Sequence, residues 1–105
     1  MSYKFNNKSD LSSAVEDWID DKSSASSTYG DINSWDVSDI TDFSRLFYGQ
    51  SSFNDDISNW DVSNGTTFRN MFYEASSFNQ NISDWDMSSA TSLYSMFQKA
   101  SSFNQ

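Results

Sequence analysis

The chain has 105 residues, with 15 Asp or Glu against 6 Lys or Arg, a formal charge of -9 and a pI near 4.1, which argues against nucleic acid or anionic membrane as a partner. It contains no Cys, His or Pro, so disulfides, thiol and imidazole catalysis and the commonest zinc ligands are excluded. Hydrophobic residues reach only 36% and the mean hydropathy is -0.68, yet 17% of residues are aromatic, a composition that disordered chains lack, so a fold is expected.

In chain order, Met1 to Asp10 is polar with no apolar stretch after its charges, so no secretion signal is expected. Leu11, Val15, Trp18 and Ile19 then fall at i, i+4, i+7 and i+8, which predicts an amphipathic helix with Ser9 as N-cap and Asp20-Asp21-Lys22 followed by SSASSTYG as its exit. Residues 1–30 are read as this capping helix and a linker.

From Asp31 onward the sequence repeats. Trp35, Trp60 and Trp85 are 25 residues apart, as are Ile32, Ile57 and Ile82, and residues 31–55, 56–80 and 81–105 form three units with ten identical columns. In each, Thr41, Thr66 or Thr91 precedes an i, i+3, i+4 apolar set: Phe43, Leu46 and Phe47; Phe68, Met71 and Phe72; Leu93, Met96 and Phe97. That spacing predicts a two-turn helix per unit, too short to stand alone and held by stacking. Segments such as DISNWDVS predict a short extended piece and a turn. Ser-Ser-Phe-Asn predicts a corner, with Phe53, Phe78 and Phe103 inward and Asn54, Asn79 and Asn104 in a ladder. The expected fold is an α/β solenoid, leucine-rich-repeat-like, of three 25-residue coils stacked Trp on Trp and Phe on Phe beneath the N-terminal helix. The last coil has no cap after Gln105, so either the natural protein is longer or this open end meets something.

The phrase ISNWDVSNGTTFRNMFYEASSFNQ resembles the BspA-like bacterial surface-protein repeat, and the resemblance covers Asp31 to Gln105. The leader SDLSSAVEDWIDD looks like the segment that precedes such arrays. The resemblance implies a leucine-rich-repeat-like, non-enzymatic and surface-displayed protein associated with adhesion. Gly65 departs from the family's apolar residue at its position, which implies a less firm middle coil, and Tyr94 stands where a small or polar residue is commoner.

Asp36, Asp61 and Asp86 recur beside each Trp and read as turn acceptors rather than catalytic carboxylates or calcium ligands. No pair of carboxylates stands out from this repeating background, so no catalytic residue, metal or cofactor is expected. The candidate binding surface is Arg45, Tyr48, Arg69, Tyr73 and Tyr94, the aromatic and Arg types that interfaces favour, together with Phe97 and Phe103 at the uncapped end. Charge runs from -2 over residues 1–30 to -4, -2 and -1 over the three units, so the C-terminal end repels acidic surfaces least. The expected function is a non-catalytic module for protein or glycan contact at a cell surface. The alternatives are a self-assembling repeat that associates as a homo-oligomer through its C-terminal coil and, below it, a calcium-stabilised adhesin module.

Overall fold

Asn7, not Ser9, starts the first helix: its side-chain Oδ1 accepts the Asp10 N–H at 2.9 Å, and α1 runs Lys8–Asp20. The computed structural model describes residues 3–104. Leu11, Ala14, Val15 and Trp18 are the buried face of α1, as the i, i+4, i+7 spacing requires. Asp21 turns the chain and caps a second helix, α2 (Lys22–Tyr29), by accepting the Ser24 N–H at 3.2 Å. The linker expected here is therefore helical. Its Ser and Thr hydroxyls, which favour non-helical partners, are spent on carbonyls three or four residues back, as from Ser26 and Ser27 to Ser23. Gly30, at φ 78, ends α2 with its N–H on the Ser26 carbonyl.

The repeats are neither helical nor stranded, which corrects the α/β expectation. Among the described residues the helices are α1, α2 and a single 3-10 turn at Ile32–Ser34, and extended pairing is confined to isolated bridges such as Asp42 to Thr67 and Thr67 to Ser92. Thr41, Thr66 and Thr91 cap no helix. The chain instead makes successive tight turns whose alternate N–H groups point in two directions. Leu46, Tyr48 and Gln50 donate back three residues, to the carbonyls of Phe43, Arg45 and Phe47. Phe43, Arg45, Phe47 and Gly49 donate across to Thr67, Arg69, Met71 and Tyr73 at 2.7–3.0 Å. Phe68, Asn70, Phe72 and Glu74 donate in the same way to Ser92, Tyr94, Met96 and Gln98.

Left-handed backbone makes this alternation possible and a helix impossible. Arg45, Asn70 and Ser95 have φ of 60, 57 and 55, and four residues later Gly49, Glu74 and Lys99 have 71, 58 and 61. A residue of this hand stops an α-helix and turns the next N–H out of line. The i, i+3, i+4 apolar spacing is thus the spacing of inward positions in consecutive turns, and bonds to the neighbouring unit supply what two isolated helical turns lack.

The resulting units lie on one another in columns. Phe47, Phe72 and Phe97 stack at 5.3 and 5.4 Å between ring centroids, and Phe53, Phe78 and Phe103 at 5.8 Å, with a 4.2 Å contact joining the two columns in every unit. Trp35 stacks on Trp60, and the indole N–H of Trp60 and Trp85 reaches the Ile32 and Ile57 carbonyls of the unit below. The expected asparagine ladder is present: Asn54 Oδ1 accepts the Asn79 N–H, and Asn79 Oδ1 that of Asn104. These contacts tie the repeat-fixed Trp, Phe and Asn to structure.

Below the first unit, α1 and the segment at Tyr3–Phe5 close the core. Phe5 donates its N–H to the Asp36 carbonyl, the Asp36 N–H donates to the Tyr3 carbonyl, and the Phe5 ring packs with Tyr29 on Trp35. Asp55 holds α1 and α2 to the corner of that unit, accepting the Trp18 indole N–H at 2.8 Å and the Lys22 ammonium at 2.9 Å. Replacing Asp55 with Ala leaves the buried indole N–H unpartnered, and a loss of about 1–3 kcal/mol is expected in urea unfolding, with Trp18 fluorescence shifted to the red.

Candidate interaction surface

The repeating Asp residues are structural. The Asp36, Asp61 and Asp86 carboxylates each accept the N–H of the Ser two places on, at 2.9–3.0 Å. Asp42, Asp56 and Asn81 close a second set of such turns onto Ser44, Ser58 and Ser83. The Ser38 hydroxyl and N–H hold Asp36 below the ordinary carboxylate value of 3.8, Ser88 does the same for Asp86, and the Ser58 N–H and hydroxyl hold Asp56 low. At Asp42 burial pushes upward, but Ser44 and the Lys8 ammonium together outweigh it and the group stays low.

Each of these groups has a folded value below its unfolded one, so the folded chain binds protons less readily there. Their contribution is whole above the unfolded value and is lost as pH falls through the folded values. The Tm is therefore expected to hold from neutral pH down to about pH 4 and to decline as the pH falls further, as calorimetry at stepped pH will show.

A groove of about 290 Å³ lies where α1 and α2 meet the first corner, lined by Trp18, Ile19, Lys22, Phe53 and Asp55. Its polar groups are spent on one another, because Asp55 takes both the indole N–H and the Lys22 ammonium. Among the described residues no three acidic side chains gather as a metal site would require.

The turn rows 43–50, 68–75 and 93–100 carry something different on their outer side. Tyr48 and Tyr73 stack at 5.0 Å and 10°. The Arg45 guanidinium lies 5.3 Å from the Tyr48 ring, the Arg69 guanidinium 5.2 Å from Tyr94, and the Lys99 ammonium 5.9 Å from Tyr73. The left-handed turns at Arg45 and Lys99 place both cations outside the stack, and 25-residue stacking brings residues of adjacent units together. Tyr94 is 65% exposed and Tyr48 42%.

Five of the residues singled out in the sequence thus lie on the outer side of the turn rows in two groups, Arg45 with Tyr48 and Tyr73, and Arg69 with Tyr94, which together make a strip of cations and tyrosines. Phe97 and Phe103 do not join it, because both are partly buried against the core and complete the two phenylalanine columns. The sequence reading missed Lys99. Its column holds Gly49 and Glu74, so no repeat pattern marks it, and only the stacking of the third unit on Tyr73 brings it in.

A family profile described as "Mycoplasma protein of unknown function, DUF285" matches residues 1–105. No curated protein and no solved structure matches the chain. With the profile covering the N-terminal helices and all three repeats alike, the chain belongs to the DUF285 family.

Proposed function

We propose that the chain is a non-catalytic repeat module, displayed at a cell surface, that meets a protein or glycan partner through the strip of Arg45, Tyr48, Arg69, Tyr73 and Tyr94. The observation that carries this reading is the strip itself. Arg and Tyr are the side chains that anchor interfaces, and here all but the half-buried Tyr73 are exposed, and they are ordered against one another before any partner arrives. The repeat-fixed Asp36, Asp61 and Asp86, by contrast, are committed to turns. The resemblance to BspA-like surface repeats supports display at the surface and an adhesive role. No helix of the described residues is long and apolar enough to cross a membrane.

The test is a panel of surface proteins and glycans probed with the chain and with a variant carrying Arg45→Ala, Arg69→Ala and Tyr94→Ala. Exposed positions tolerate such changes, so the Tm should move little while binding to a true ligand falls by about tenfold or more. Equal binding by the variant would contradict the reading, and so would reproducible turnover of a substrate abolished by one Asp substitution.

Self-association through the third unit is a second reading, favoured by one observation. The N–H groups of Leu93, Ser95, Phe97 and Lys99, whose equivalents below bond to the next unit, have no partner among the described residues. Two copies meeting through this face would set donor against donor, and the opposite end of the stack is covered by α1 and Tyr3–Phe5. Light scattering distinguishes the two: a monomer at millimolar concentration removes the second reading, and a dimer that dissociates on substitution of the exposed Leu93, Leu93→Asp, would establish it.

A further inference from the structure

We propose that the partner of the cation and tyrosine strip is a carboxylate-rich polypeptide segment. This rests on the strip being the binding surface and narrows what it binds. The argument begins with where the six cations go. Lys4 pairs with Asp39 at 3.1 Å, Lys8 with Asp42 at 3.4 Å and Lys22 with Asp55 at 2.9 Å, so the three cations of residues 1–30 are all neutralised by the first repeat unit. The remaining three, Arg45, Arg69 and Lys99, have no ion pair among the described residues, and each lies against a tyrosine of the strip.

The charge of the chain is divided accordingly. Rows 43–50, 68–75 and 93–100 contain those three cations and one acidic residue, Glu74, for a charge of +2, which leaves -11 on the rest of a -9 chain. Neither guanidinium donates a hydrogen bond within the described protein, so the fork of each is free to take a carboxylate with two parallel bonds, the geometry it favours.

Two of the three rings favour an acidic polypeptide over a sugar, while Tyr94, 65% exposed with Arg69 against it, is the most open. A sugar platform presents an open aromatic face. Tyr48 is flanked by Arg45 and Tyr73, and Tyr73 by Tyr48 and Lys99, so those faces are occupied by each other and by cations. What the strip offers outward is positive charge and phenol hydroxyls, suited to Asp and Glu side chains that reach in from a flexible backbone.

The surrounding negative charge gives this binding a distinctive dependence on salt. The molecule measures 32 × 27 × 23 Å, so at about 0.01 M salt, where screening reaches about 30 Å, the whole -9 repels an acidic partner. At about 0.15 M, where it reaches about 8 Å, the strip acts alone, and at still higher salt its own pairs weaken. Affinity should therefore rise and then fall.

The experiment is a fluorescence-anisotropy titration of the full chain against a labelled Glu-Ser copolymer peptide and against a polygalacturonate fragment, from low to high salt. The expected result is peptide binding with a maximum at intermediate salt, lowered about tenfold by Arg45→Gln, Arg69→Gln and Lys99→Gln together and unchanged by Lys4→Gln. Absence of peptide binding at every salt, an unchanged affinity in the triple variant, or binding of the polysaccharide in place of the peptide would overturn the inference. Its failure is separable from failure of the functional reading. If the surface panel yields a neutral or saccharide ligand whose binding needs Arg45, Arg69 and Tyr94, the strip remains the site and only its partner class is wrong.

Discussion

Replacing Phe72 with Ala is expected to destabilise the chain by about 3–5 kcal/mol in urea unfolding and to lower the Tm by more than about 10 °C. Phe72 is fully buried and is the centre of the aromatic core: its ring stacks on Phe47 below at 5.3 Å and Phe97 above at 5.4 Å, meets Phe78 at 4.2 Å and is tilted against Trp85. Truncation opens a void between two rings whose positions are fixed by backbone bonds on either side, from Phe47 to Met71 and from Phe72 to Met96. Those bonds resist the collapse that would lessen the cost. With a typical domain holding only about 5–15 kcal/mol in all, the variant should be close to unfolded at body temperature. Phe103→Ala is the control. Its ring is only partly buried and meets Phe78 and Phe97, so its loss should be clearly smaller.

The second large effect runs against what comparing the repeats suggests. Gly65 stands in a column with Ile40 and Ala90, and reading along that column recommends Gly65→Ile as a repair. The structure predicts a loss of about 1–3 kcal/mol or more from overpacking. A Cβ at Gly65 would lie 2.5 Å from Phe68 Cζ, 2.9 Å from its Cε1 and 2.9 Å from Phe43 Cδ2. Both rings are fully buried and stacked at 5.2 Å and 6°, so neither can give way. Ile40 has no repeat phenylalanine beneath it, and Ala90 is followed by Leu93 in place of the second ring. The glycine is therefore matched to the Phe43 and Phe68 pair, and the middle unit is firm where the family comparison implied weakness. Gly65→Ala should move stability in the same direction, opposite to the usual gain of about 0.4–1 kcal/mol at a compatible glycine. Thermal melts of both variants check this.

Much of the architecture was legible because repetition shows which residues are structural. Identical columns at Trp60, Phe78 and Asn79 mark a core and a ladder, and the Asp61 and Ser63 spacing marks a turn. The 3.6-residue period failed in the rows after Thr41, Thr66 and Thr91. An i, i+3, i+4 set is shared by helices and by consecutive turns with left-handed residues between them. Arg45, Glu74 and Lys99 give no local sign of positive φ. Residues 22–29 were missed for the opposite reason: five Ser or Thr side chains read as a loop, while the structure caps them with Asp21 and ends them with Gly30. Arg45, Tyr48, Arg69, Tyr73 and Tyr94 were visible as residue types, but their pairing across units and the place of Lys99 depend on stacking, and Phe97 and Phe103 lie against the core instead.

The account rests on the rows being turns tied across units rather than helices, since that places Arg45, Tyr48, Arg69, Tyr73 and Lys99 outside one face. Amide hydrogen exchange followed residue by residue by NMR tests it most directly. The account predicts slow exchange at Phe43, Arg45, Phe47 and Gly49 and at Phe68, Asn70, Phe72 and Glu74, with fast exchange at their equivalents Leu93, Ser95, Phe97 and Lys99. Protection of the third row equal to that of the first two, as short self-contained helices would give, would contradict it.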